Sequence, residues 1–92
     1  MKKADLYNNV KGIEFIGTCT DESVAKIARK LHYVGNKRKI HKILKQFGFD
    51  DVGGFLLSEL ETFYNPYRYW IGLNYIDVVH SDIDHVFRII RD

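Results

Sequence analysis

The apolar positions of this chain recur in blocks of helical spacing, set between segments that alternate like strands. Over residues 12–18, Ile13 and Phe15 flank Glu14, the period of two expected of a strand with one covered face. Ahead of it, Leu6 and Val10 suit one side of a short helix, which Asn8 and Asn9 weaken. Val24, Ile27, Ala28 and Leu31 then fall at i, i+3, i+4 and i+7, a helical stripe opened by Thr20 as cap and by Asp21 and Glu22. Residues 32–35 end this helix. Asn36 caps a second one, with the stripe Ile40, Ile43, Leu44 and Phe47 and with Gly48 at its C-terminus.

Asp50 and Asp51 begin a third block. Phe55, Leu56, Leu60 and Phe63 keep a helical period there, although Gly53 and Gly54 each cost about 1 kcal/mol relative to alanine. Asn65-Pro66 stops it. Residues 67–79 are rich in Tyr, Trp, Ile and Val and read either as one strand or as a hairpin turning near 72–74. Ser81 caps a closing helix, with Asp82 and Asp84 complementing its dipole and Ile83, Val86, Phe87 and Ile90 as its stripe. The expected fold is a small single α+β domain over residues 1–92. It has three to four short amphipathic helices and two to three strands, and residues 23–48 form a helical hairpin or a helix-turn-helix-like pair.

Composition narrows the setting. With 92 residues, 46% of them hydrophobic, the chain can bury one core and does not read as disordered. No stretch approaches the roughly 18 apolar residues of a bilayer span, so a membrane is not an expected partner. Asp5, Asn8 and Asn9 interrupt what would be the apolar part of a signal peptide, which points to the cytoplasm. The one cysteine, Cys19, cannot form an internal disulfide.

Charge changes the picture most. Residues 23–49 hold no acid and eight of the 14 basic residues: Lys26, Arg29, Lys30, Lys37, Arg38, Lys39, Lys42 and Lys45. The formal net charge of +2 thus hides a segment of +8 beside flanks that sum to −6. Clustered cations attract polyanions. On the second helix, Arg38, His41, Lys42 and Lys45 form a row opposite the apolar stripe. Residues 23–48 resemble a helix-turn-helix in Ala28 and Leu31 and in Ile40 and Ile43, but their five-residue connection is longer than the usual tight turn. Nucleic acid, DNA or RNA, is therefore the expected partner. Arg38, Lys42 and Lys45 would meet phosphates, Lys37 and Lys39 the flanking backbone, and His41 would act as a neutral donor or acceptor, with Lys26, Arg29 and Lys30 in support.

Residues 63–70 interleave aromatics with Arg68. Tyr64, Tyr67 and Arg68 are the expected exposed members, able to stack on bases, while Phe63, Tyr69 and Trp70 fill the core. A different function class fits the acidic remainder, since residues 50–92 carry eight acids against three arginines. Such a dipolar molecule suits a protein-binding inhibitor or adaptor that recognises an acidic protein surface, and is compatible with a homodimer.

Catalysis is not expected, and neither is a cofactor or a metal. His80, Asp82, Asp84 and His85 are able to ligate a metal, yet the two aspartates have an explanation as dipole partners. Cys19 near a helix start could pair with His32, His41, His80 or His85, but no motif fixes such a pair. Gly53-Gly54 lacks the lysine and preceding strand of a phosphate loop.

Overall fold

The computed structural model of the chain describes residues 8–52, 54–62 and 67–92. β1 (Val10–Thr18) leads into α1 (Glu22–Ala28), the two-residue strand β2 (Tyr33–Val34) and α2 (Lys37–Gln46). The small ribbon β3 (Asp51–Val52) and β4 (Phe55–Leu56) follows, then one helical turn, α3 (Leu57–Leu60). Three strands complete the chain: β5 (Tyr67–Ile71), β6 (Tyr75–His80) and β7 (His85–Arg91). Five of the strands form one sheet in the order β1-β7-β6-β5-β2, every neighbouring pair antiparallel. Among the described residues 41% are strand and 26% helix, so the fold is β-rich, in place of the expected α+β domain of three to four helices.

The two helices predicted from their stripes are present, with local chemistry that explains their ends. Asp21 caps α1 in place of Thr20, its carboxylate accepting the Ser23 N–H at 2.9 Å and the Ser23 hydroxyl at 2.7 Å. Both bonds hold the Asp21 carboxyl below its ordinary range. Asn36 caps α2, its Oδ1 accepting the Lys39 N–H at 3.2 Å. Gly48 adopts φ +88° just past α2, the left-handed geometry that releases the chain from the helix.

The helices do not, however, pack as a hairpin. Val24, Ala28 and Leu31 pack with Val79 and Val86, whereas Ile40 and Leu44 of α2 join Val78, Ile76, Phe87 and Ile89. Val78 and Val79 are neighbours on β6 and point to opposite faces of the sheet. α1 therefore covers one face and α2, with α3, covers the other. The connection between them contains β2, which pairs with β5 and carries the chain around the sheet edge. This overturns the helical hairpin or helix-turn-helix expected over residues 23–48: each stripe is buried, but against the sheet and not against the other helix.

The closing helix is also overturned. Residues 85–91 form β7, paired with β1 on one side and β6 on the other. Residues 81–84 make the turn, with the Ile83 and Asp84 amides donating to the His80 carbonyl at 3.2 and 2.8 Å, and Asp84 at φ 53°. A strand buried on both faces loses its alternation. Val86, Phe87 and Ile90, with Ile83 of the turn, then imitate a helical stripe. The third predicted helix shrinks to the single turn of α3, because Phe55 and Leu56 pair with Val52 and Asp51; Phe63, its last expected position, lies outside the described residues. Residues 67–80 resolve as a β5–β6 hairpin, the Gly72 N–H donating to the Tyr75 carbonyl at 2.8 Å.

Candidate nucleic-acid interface

α2 sets the cationic surface. Its buried arc of Ile40, His41, Ile43 and Leu44 turns Arg38, Lys39, Lys42 and Lys45 to the exterior, and all four are exposed. Among the described residues none of the four has a carboxylate partner. Lys37 is half-buried and donates from Nζ to the Leu60 and Glu61 carbonyls at 3.4 and 3.5 Å, tying α2 to the end of α3. The first turn of α2 carries three cations and no acid.

The cations of α1 lie across the sheet from this row. Lys26, Arg29 and Lys30 are exposed, and Arg29 is neutralised by Glu22 at 2.8 Å. The basic residues thus form two surfaces on opposite sides of the sheet, joined only around the β2 edge.

His41 leaves the cationic row. It is 5% exposed, its ring edge-on to Tyr67 at 5.5 Å, and neither ring nitrogen makes a hydrogen bond among the described residues. The Glu61 carboxylate lies 3.8 Å from Nδ1. Burial lowers the His41 pKa, with Glu61 opposing and Lys37 reinforcing the shift. The helical period placed His41 beside Arg38 and Lys45, but α3 and β5 reach over that side of α2.

The aromatic assignment reverses in part. Tyr67 is fully buried between His41 and His80, whose ring lies 4.8 Å away, and burial pushes its hydroxyl pKa upward. Arg68 is half-buried and donates from Nε to the Ser81 hydroxyl at 3.0 Å. Tyr64 lies outside the described residues. Tyr69 is core, as expected, but Trp70 is 40% exposed. It lies near Tyr33, 49% exposed, with ring centroids 6.0 Å apart and planes 26° apart. His32 adds a third ring, 4.4 Å from Tyr33 and 5.5 Å from Trp70. The β5 alternation holds the missed signal: Tyr67, Tyr69 and Ile71 share one face, Arg68 and Trp70 the other. Tyr33 was legible as an aromatic inside the acid-free segment, but its partner across the strands was not.

Among the described residues no group of three or more His, Cys, Asp or Glu side chains could hold a metal ion. His80 is fully buried, whereas Asp82 and Asp84 are exposed in the turn and His85 stacks on Phe15 at 5.4 Å. Burial, then Asp84, raises the Cys19 thiol pKa, the opposite of an activated nucleophile. No helix among the described residues is long and apolar enough to cross a membrane. No protein-family model, curated protein or solved structure matches the chain.

Proposed function

We propose that this chain is a small non-catalytic nucleic-acid-binding protein, a regulator or accessory factor, that holds a phosphate backbone against the outer side of α2. One observation carries the reading: Arg38 and Lys39 stand exposed in the first turn of α2 beside the half-buried Lys37, and no acid accompanies them. That end of a helix bears partial positive charge, so exposed cations there cost stability, on the scale of about 0.3–1 kcal/mol each. Stability alone would place acids at these positions. A bound polyanion accounts for the arrangement, because the helix dipole and the side chains then attract the same phosphates. Arg38, Lys39, Lys42 and Lys45 are the phosphate contacts. Lys26, Arg29 and Lys30 contribute to the field that steers association. A lone thiol at Cys19 and no disulfide suit a reducing, cytoplasmic setting.

Salt titration tests the reading. Four phosphate contacts give a slope of log K against log salt of about −3 to −4. Changing Arg38, Lys42 and Lys45 together to glutamate abolishes binding while circular dichroism stays unchanged. A folded triple variant that binds as the wild type does refutes the assignment of this face.

A second reading is a protein-binding inhibitor or adaptor that places the same cations on an acidic protein surface. Exposed apolar residues at the sheet and ribbon rims, Val34, Leu56 and Leu73, favour it. Capture that survives nuclease treatment, together with no binding to any nucleic acid at low salt, selects this reading over the first.

A further inference from the structure

We infer that the ring cluster at the β2–β5 edge is a stacking platform for unpaired bases, so that the nucleic acid held by the neighbouring cations is single-stranded. This rests on the nucleic-acid reading above and names its substrate class. Three observations carry it.

The rings are exposed and already ordered. Tyr33 and Trp70 lie within 26° of parallel, and the buried Tyr69 ring supports Tyr33 at 5.5 Å. An open groove of about 240 Å³, lined by Tyr33, Tyr69, Trp70 and Ile71, runs beside them. Rings fixed by their neighbours on one side and open on the other lose little freedom when a base settles on them.

The chain on both sides of β2 is cationic. β2 is the turning point of the chain between the two faces, so Arg29 and Lys30 precede the rings and Lys37, Arg38 and Lys39 follow them. No acid occurs anywhere in residues 23–49. The one carboxylate across the strands, Asp77 opposite Trp70, is buried and held by Arg88 through bonds of 2.8 and 3.1 Å. A phosphate chain passing the edge meets the exposed Arg38 and Lys39 of α2 on one side and Lys30 on the other, where Arg29 is already paired with Glu22.

The shape selects the strand state. A duplex hides its base faces in its own stack, and only unpaired bases offer a π-face to aromatic side chains. β2 is two residues long, and the helix with the cationic row lies on the far face from α1, so no paired helices present themselves to a major groove. Stacking tolerates any base, so the platform is expected to bind with little sequence preference.

Trp70 is the only tryptophan, so its fluorescence reads this platform alone. The probes are a 12-nucleotide oligothymidylate, a 12-nucleotide oligouridylate and a 12-base-pair duplex, each end-labelled for anisotropy and titrated at 50 mM salt. The expected result is saturable quenching of Trp70 by the single strands, which bind more tightly than the duplex. A difference between the thymidylate and uridylate arms separates a DNA from an RNA preference. Trp70→Leu weakens single-strand binding about 5- to 150-fold, the worth of one stacked base. Trp70→Phe and Tyr33→Phe, which keep a ring and the packing, retain most of it. The salt slope stays the same in all three variants, because stacking releases no counterions, whereas the triple glutamate variant loses it. Single-strand binding by anisotropy with Trp70 fluorescence unchanged and Trp70→Leu neutral overturns the platform and leaves the cationic face standing. Equal affinity for duplex and single strand overturns it as well. No salt-dependent binding to any probe overturns both.

Discussion

Gly35 shows how tightly single positions are set where β2 turns into α2. A Cβ there would lie 2.9 Å from the Ile40 methyl and 3.3 Å from the Tyr67 carbonyl. The methyl belongs to the fully buried Ile40, and the carbonyl is tied to Gly35 through the N–H bond it accepts at 2.6 Å. Gly35→Ala is therefore expected to destabilise the fold by about 1–3 kcal/mol through overpacking, read as a lower urea midpoint with an unchanged m-value. Other residues were legible only in part. The eight cations and the acid-free span could be counted from the sequence, and Arg38, Lys42 and Lys45 could be placed on one helical side. His41 shares that side by period but not in the fold, because Tyr67 and Glu61 close over it. Trp70 and Tyr67 exchanged roles for a related reason: composition marks a run as aromatic, but the strand alternation and the covering helix choose which rings are buried.

Elements depend on caps and pairing. α2 has ten residues and no acid in its first turn, so the Asn36 side chain is the favourable polar contact at its N-terminus. Asn36→Ala should cost about 0.5–2 kcal/mol. Hydrogen exchange should locate the loss in the first turn of α2, with the β6–β7 amides falling only by the global amount; an unchanged exchange pattern contradicts this role for Asn36. The two helices were legible because each has one buried side and a polar remainder, the condition under which periodicity reports structure. β7 was not. It is covered by α1 on one face and by the α2 layer on the other, so it shows the near-continuous apolar run that period alone cannot separate from a helix. The segment 55–60 failed differently, since Phe55 and Leu56 gain strand partners in β3 that no local pattern announces.

On the scale of the whole molecule, the sheet is a partition. α1 on one face and α2 with α3 on the other bury two apolar clusters and separate the cations into two surfaces. The α2 layer also encloses His41 and His80, and burial lowers both pKa values below 6.5. Both rings take up their protons at lower pH in the folded protein than in the unfolded chain, which protonates near 6.5, so unfolding below that pH takes up protons. Stability is complete above pH 6.5 and falls as the pH drops below it, by up to about 1.4 kcal/mol per pH unit for each histidine. Glu61 opposes the shift at His41, Asp82 opposes it at His80, and Lys37 reinforces both. Urea midpoints at pH 7.5, 6.5 and 5.5 should show the decline, and His41→Phe should reduce it. A flat profile refutes the account.

By itself the sequence determined two amphipathic helices, a first strand, an aromatic segment able to make a hairpin and a basic segment set between acidic flanks. These are local or additive properties, set by the spacing of side chains and the sign of their charges. The tertiary structure alone decided that the two helices face away from each other across a sheet, that residues 85–91 are a strand, and that Tyr33 and Trp70 meet at its edge. An apolar stripe states that one side of an element must be covered. What covers it is settled by strand pairing between distant residues, and that pairing leaves no period in the chain.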